Sequence, residues 1–318
     1  MSIDNETMLI YLSAQETAQS FLRRIYKQNE TYKSIADVKS YENCHSFMYY
    51  LDHGRKLFNA GHHVDMIFQP TLYFYGLGHF MKALILTERP HYPESTALLA
   101  HGVSSRKRKK KDYTFLEDEV KIQHQGLLPY FSEHILSLKR MPFDKIKMLR
   151  LLSLIPELQS LFLLTDEPKL VQLPFQKQVL TFPMTLLDDY HMTAHAFLNR
   201  IKPFLPPILH TNITKSTIKI TVNGQIREYH TPFFFDRYEH VYFPTSRDIF
   251  LPISEMIVHY LLLYNLSMLS RYEAGWWGDL LMSKADIDYP FIIKFLEITA
   301  WKIPYLIERA LRNKFFHP

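Results

Sequence analysis

The sequence predicts a mainly α fold with a small antiparallel β-rich insert (α+β), its helical body built from both ends of the chain. Three observations predict it. Apolar residues recur at three- and four-residue spacing near both termini. Two stretches, "PTLYFYGLGHFMKALILT" (70–87) and "MIVHYLLLYNLSML" (256–269), are apolar nearly all round, as central helices are. Between 168 and 250 alternation replaces that spacing, as in Ile218, Ile220 and Val222 before Asn223-Gly224. The expected division is 1–167 for the first part of the helical body, 168–250 for the insert and its hairpin, and 251–318 for C-terminal helices that pack back on the body.

The first helix is expected from Ser13, where "SAQE" has the form of a capping box, and Ala14, Ala18, Phe21, Leu22 and Ile25 make one apolar stripe. A second spans about 40–60, with Cys44, Phe47, Met48, Leu51 and Phe58 on one face and Gly61 as a left-handed C-terminal cap. A third, over 70–87, opens on Pro70, which a first helical turn tolerates. It keeps one polar stripe, Thr71, Tyr75, His79 and Lys82, while Gly76 and Gly78 admit a close neighbour. A short helix over 93–100 ends at His101-Gly102, and "YTFLEDEVKIQ" reads as short extended pieces. Helices follow near 127–138 and 143–163, the latter broken at Pro156.

In the insert, 169–182 reads as strand and 185–202 as helix. Residues 216–230 read as a hairpin turning at Asn223-Gly224, a pair that favours a type I′ turn. Residues 233–243 add a third strand. Helix then returns over 252–272 and from Asp288 to about 313, with Pro304 as a kink site.

Composition excludes several classes. Hydrophobic residues form 47% and charged residues 22% of the chain, which favours a folded core over disorder. Cys44 is the single cysteine, so no intrachain disulfide forms and a reducing, cytoplasmic setting is expected. The N-terminal residues lack the form of a signal peptide. Residues 256–269 are too few for a membrane span and carry His259 and Asn265. Walker-type, strand-linked GxGxxG, GxSxG and CxxC motifs are absent from the sequence, and no cofactor is implied.

The charge is local. The net charge is +5, and it falls to −1 without the six consecutive cations Arg106, Lys107, Arg108, Lys109, Lys110 and Lys111. Such a run holds phosphate by charge, with arginine adding bidentate hydrogen bonds. The acids Glu117, Asp118 and Glu119, just beyond, offer an alternative partner within the chain.

The segments "QPTLYFYGLGHFMKALIL" (69–86), "AHGVSSRKRKKKDYTFLEDEVKIQHQGLLPYF" (100–131) and "HYLLLYNLSMLSRYEAGWW" (259–277) resemble the YaaC-like family of uncharacterised bacterial proteins over nearly the whole chain. More loosely, Phe74-Tyr75-Gly76-Leu77 and Arg271 are similar to HEPN-type helical domains, many of them ribonucleases through an Arg followed four to six residues later by His. Here "RYEAGWWGDL" follows that pattern in the arginine and departs from it in having no histidine.

Two site expectations follow. The basic loop, Arg106 to Lys111, is a candidate anion site for a nucleotide, a nucleic acid or an acidic protein surface. Tyr75, His79, Lys82, His101 and Arg271 are candidates for a cleft between the two apolar helices. For each a structural role is the alternative: His101 and Arg271 both suit helix C-terminal ends. Asp188, His191 and His195 share a helical face if 185–202 is one helix. Met192 stands where the zinc-protease motif needs glutamate, and no metal is expected. His62, His63 and Asp65 form a weaker turn cluster. Trp276 and Trp277 beside Gly275 and Gly278 suit either a partner anchor or the core. The function expected is a cytosolic, non-catalytic regulator or adaptor. The alternative is a HEPN-like enzyme acting on RNA or a nucleotide.

Overall fold

The computed structural model describes residues 7–105, 113–165, 167–227 and 230–316. The fold is mainly α with small antiparallel sheets. The chain divides into two compact units: 1–114 with 118–146 and 259–318, and 115–117 with 147–258. No helix among the described residues is long and apolar enough to cross a membrane.

The first unit is helical. After α1 (Thr7–Tyr11) come α2 (Gln15–Gln28), α3 (Ala36–His63) and α4 (Gln69–Glu88). The capping box does not form. The Ser13 hydroxyl donates to the Ile10 carbonyl at 2.6 Å, closing α1, and Ala14 caps α2 without a side-chain bond. Gly61 is no cap either. It lies inside α3, where an added Cβ would come within 2.5 Å of the Tyr73 ring on α4. At Gly76 a Cβ would meet the Phe58 ring at 2.7 Å and the Gly54 carbonyl at 3.3 Å. The two helices thus touch backbone to ring, and Phe58 stacks on Tyr73 with centroids 5.0 Å apart. Gly78, by contrast, has only a Leu127 methyl within 4 Å, at 3.9 Å.

Residues 93–100 hold only a 3-10 turn, Thr96–Leu99. Then β1 (Val103–Ser105) pairs antiparallel with β2 (Glu119–Ile122), α5 (Leu127–Ile135) follows, and β3 (Lys145–Lys147) completes the sheet order β1-β2-β3. The expected helix over 143–163 is replaced by β3, α6 (Met148–Leu152), a 3-10 turn from Pro156 and α7 (Gln159–Thr165). Pro156 lacks the N–H a continuing helix would need.

The second unit holds the β-rich part. Residues 169–182 are three strands rather than one: β4 (Leu170–Leu173), β5 (Phe175–Gln176) and β6 (Val179–Pro183). Lys177 and Gln178 both take positive φ, 50° and 63°, and make the two-residue turn that joins β5 to β6. The expected helix over 185–202 breaks into α8 (Leu186–Tyr190) and α9 (Ala194–Ile201), because His191 turns left-handed and the Thr193 hydroxyl caps α9.

The hairpin at Asn223-Gly224 is also corrected. β8 (Thr217–Val222) pairs with the preceding β7 (Ile208–Ile213) and with β6, in the order β5-β6-β8-β7. Both edges of β8 are therefore occupied, and no edge is left for a strand returning after Gly224. The turn that forms is at Thr214, whose N–H donates to the Thr217 carbonyl at 2.9 Å. Further on, β9 (Phe234–Phe235) and β10 (Val241–Pro244) pair, and β10 also joins β4.

This unit is held by aromatic packing. Phe182, Phe197, Phe233, Phe243, Tyr190 and Phe250 enclose one another, with Phe182 edge-on to Phe243 at 5.2 Å. Burying each ring contributes roughly 1.5–3 kcal/mol.

The chain then forms α10 (Glu255–Tyr272), α11 (Ala274–Ser283) and α12 (Asp288–Phe316), which carries Pro304 inside it. Sequence reading omitted α11. Its Trp277 is buried and donates its indole N–H to the Ile67 carbonyl at 3.2 Å, while Trp276 sits edge-on to Tyr113 at 4.9 Å. Within the first unit His259 of α10 meets the Thr299 hydroxyl of α12 at 2.8 Å, and α12 packs on α3 and α4.

Candidate functional site

The polar stripe of α4 meets two different neighbours. At its N-terminal end the Thr71 hydroxyl lies 2.9 Å from that of Ser270, and the Tyr75 hydroxyl accepts from Arg271 Nη1 at 3.2 Å. Both partners stand in the last turn of α10. One helical turn further, His79 and Lys82 face α3 instead. The His79 ring lies 5.8 Å from that of Tyr50 and 5.2 Å from that of His53, and Lys82 Nζ sits 5.7 Å from the Tyr50 centroid.

His101 joins the two halves. Its carbonyl accepts from the Tyr260 hydroxyl at 3.0 Å and from the Leu128 N–H at 3.3 Å, which fixes the backbone. Its ring then packs against Phe74 at 4.9 Å, Tyr264 at 6.0 Å and Tyr75 at 6.1 Å. Gly102 takes φ 77°, a left-handed conformation that sends the chain from this point into β1.

Arg271 is held in place from several sides. Its Nε donates to the Ser267 carbonyl at 2.9 Å, and its guanidinium carbon lies 5.7 Å from the Tyr75 centroid and 5.1 Å from that of Tyr272. Among the described residues neither Arg271 nor Lys82 forms an ion pair with a carboxylate.

The electrostatics have one sign. Burial, then the charges of Lys82 and His53, lower the His79 pKa to about 4, and its Nδ1 is buried without a hydrogen-bond partner. Burial, then Arg271 and Lys82, hold His101 below its ordinary range. Burial alone lowers the Lys82 ammonium. Each shift disfavours positive charge, and a bound anion would reverse it.

The structure thus places Tyr75, His101 and Arg271 in contact, with His79 and Lys82 further along α4 against α3 and Lys82 acting on His101 through its charge. Tyr50, His53, Tyr264 and Tyr272 border these residues, and sequence reasoning missed them. The i, i+3 spacing of Tyr50 and His53 on α3 was the available signal. The six cations of the basic loop lie outside the described residues. The strand before them is described, and Ser105 pairs with Val120 only four residues beyond His101. Glu117 pairs with Lys147 at 2.5 Å and Glu119 with Lys145 at 2.8 Å, while Asp118 accepts from the hydroxyl of Tyr113 and the amide of Asn265, each at 2.9 Å.

Other sequence candidates come apart. His191 ends α8 while His195 stands in α9, so the pair does not share a helical face. His62 and His63 end α3. Cys44 is wholly buried. Among the described residues no group of three or more His, Cys, Asp or Glu is placed to hold a metal ion.

Two open cavities lie elsewhere: one between the 172–176 and 239–241 segments, the other beside α5, lined by Gln123, Ser132 and Lys139. In the α4 cluster charged groups and aromatic rings meet at contact distance. Compared with known proteins, the chain matches no curated protein and no solved structure. The model of the family described as YaaC-like Protein matches residues 10–311, which takes in every residue of the cluster, and the chain belongs to that family.

Proposed function

We propose that this chain is a cytosolic, non-catalytic regulator or adaptor that binds an anionic, phosphate-bearing partner: a nucleotide, a nucleic acid or an acidic protein surface. Lys82 and Arg271 supply cationic groups, His101 supplies an imidazole that takes up a proton more readily once an anion is bound, and Arg106 to Lys111, a few residues along from His101, supply further charge. The observation that carries this reading is the pairing state of Lys82 and Arg271. Both are partly buried, both act electrostatically on His101, and among the described residues neither has a carboxylate partner. Partly desolvated cations are costly without an anion.

The test is titration of the full chain with inorganic pyrophosphate at two salt concentrations. Binding should weaken at high salt, since phosphate contacts between charges are screened. Replacing residues 106–111 by serine should weaken it again. Undetectable pyrophosphate binding at low salt rejects the reading.

One observation favours a second reading, a HEPN-like enzyme acting on RNA or a nucleotide. The sequence after Arg271 has no histidine, yet the fold brings His101 beside the same Tyr75 ring that Arg271 covers. An imidazole there is available for general acid–base work. RNA cleavage that disappears in His101→Ala and Arg271→Ala supports this reading; an intact RNA after incubation with the wild-type chain ends it.

A further inference from the structure

Two exposed tyrosines flank the Arg271 guanidinium, which has no carboxylate partner among the described residues. Tyr75 retains 39% of its surface and Tyr272 65%. Single exposed aromatics are ordinary. Here two stand within cation–π distance of one arginine, and that arginine is anchored through Nε to the Ser267 carbonyl. An inorganic anion or a carboxylate would need the charge and would make no use of the rings. A ligand that is flat at one end and phosphorylated at the other uses both.

We infer that the anion held here is a nucleoside phosphate, its base stacked on the Tyr75–Arg271–Tyr272 platform and its phosphate directed toward Lys82 and His101. This rests on the anion-site reading above and narrows it to one ligand chemistry, which a free nucleotide and a single strand of nucleic acid share. Stacking of this kind tolerates any base, because every base has a π-face. The site is therefore expected to prefer nucleotides over simple phosphates while discriminating little between bases.

The experiment is calorimetric titration of the full chain, at low ionic strength, with pyrophosphate, ribose 5-phosphate, ADP, GDP and a short oligouridylate. ADP and GDP should bind about tenfold tighter than pyrophosphate or ribose 5-phosphate. Tyr272→Ala should remove that advantage, so that ADP and pyrophosphate bind this variant alike, whereas Tyr272→Phe should keep it. Tighter binding of the oligouridylate than of ADP identifies a strand as the source, and the reverse identifies a free nucleotide; either supports the inference. Equal affinities of the wild-type chain for ADP and pyrophosphate overturn it and leave the anion site standing. Failure of every probe to bind removes the anion site itself.

Discussion

The two units bury different things. In the β-rich unit the core is a block of aromatic and aliphatic side chains, where the Tyr190 hydroxyl finds a backbone acceptor, the Pro244 carbonyl, at 3.0 Å. In the helical unit Asp118, His259, Asn265, Asp288, Lys302 and Glu308 are buried as well, and Lys82, His101 and Arg271 are half-buried. Polar groups inside a protein cost stability unless they are paired. Asp118 is paired with Tyr113 and Asn265 and Glu308 with Arg312, whereas among the described residues Lys82 and Arg271 have no carboxylate partner. The difference therefore directs attention to α3, α4 and α10 for chemistry, and to the second unit for packing.

That comparison can be broken in several ways. The largest effect is expected in the second unit. Phe243→Ala removes the ring that Phe182, Phe197, Phe233, Tyr190 and Phe250 all touch, and should cost about 3–5 kcal/mol in denaturant unfolding. A loss under 1 kcal/mol would mean this core is not the source of the unit's stability.

Gly76→Ala comes next. The added methyl would stand 2.7 Å from the Phe58 ring, so the ring must shift or α3 and α4 must part, at roughly 1–3 kcal/mol. Gly78→Ala, which would make only an ordinary contact with a Leu127 methyl, is the control and should be neutral or slightly stabilising. Equal effects at the two glycines would contradict the close approach.

Arg271→Ala should act on binding more than on stability. Loss of a charge-assisted contact weakens pyrophosphate binding by roughly tenfold or more. Its thermal midpoint should fall by only a few degrees, about what a 1 kcal/mol loss produces. A large fall in midpoint with unchanged binding would assign Arg271 to structure alone.

The smallest effect is in pH dependence. His79 titrates at about 4 in the folded chain, against an ordinary 6.5. Between those values the unfolded chain takes up a proton that the folded one resists. Stability from this group is full above pH 6.5, declines as pH falls toward 4, and levels off below. The decline is on the order of 1 kcal/mol, since the ring is partly exposed and screened. His79→Leu should flatten stability over that window. His101 adds a binding signature: an anion raises its lowered pKa, so affinity should increase as pH falls below neutrality.

Much of the helical unit was legible because helix period and apolar pattern agree there. The α4 and α10 sequences are apolar all round and became central helices. The stripe Thr71, Tyr75, His79 and Lys82 also pointed to its own neighbours. What the pattern could not show was that this stripe divides between α10 and α3, or that His101, remote in sequence from Arg271, would share a tyrosine with it.

The β-rich unit was less legible. Its turn residues are atypical: Lys177-Gln178 makes a left-handed turn without glycine, while Asn223-Gly224, the best turn signal in the chain, joins no strands among the described residues. Local propensity yielded there to strand pairing, since β8 had both edges taken. The Asp188, His191 and His195 spacing misled for a related reason, as one residue with positive φ broke the helix that would have aligned them.

The most direct measurement is calorimetric titration of pyrophosphate into three forms of the full chain: wild type, Lys82→Ala/Arg271→Ala, and the form with serine at 106–111. The prediction is that each altered form loses at least about tenfold in affinity while keeping the wild-type circular dichroism spectrum. Wild-type affinity in the Lys82→Ala/Arg271→Ala form would contradict the account, because the fixed cations would then have no part in holding the anion.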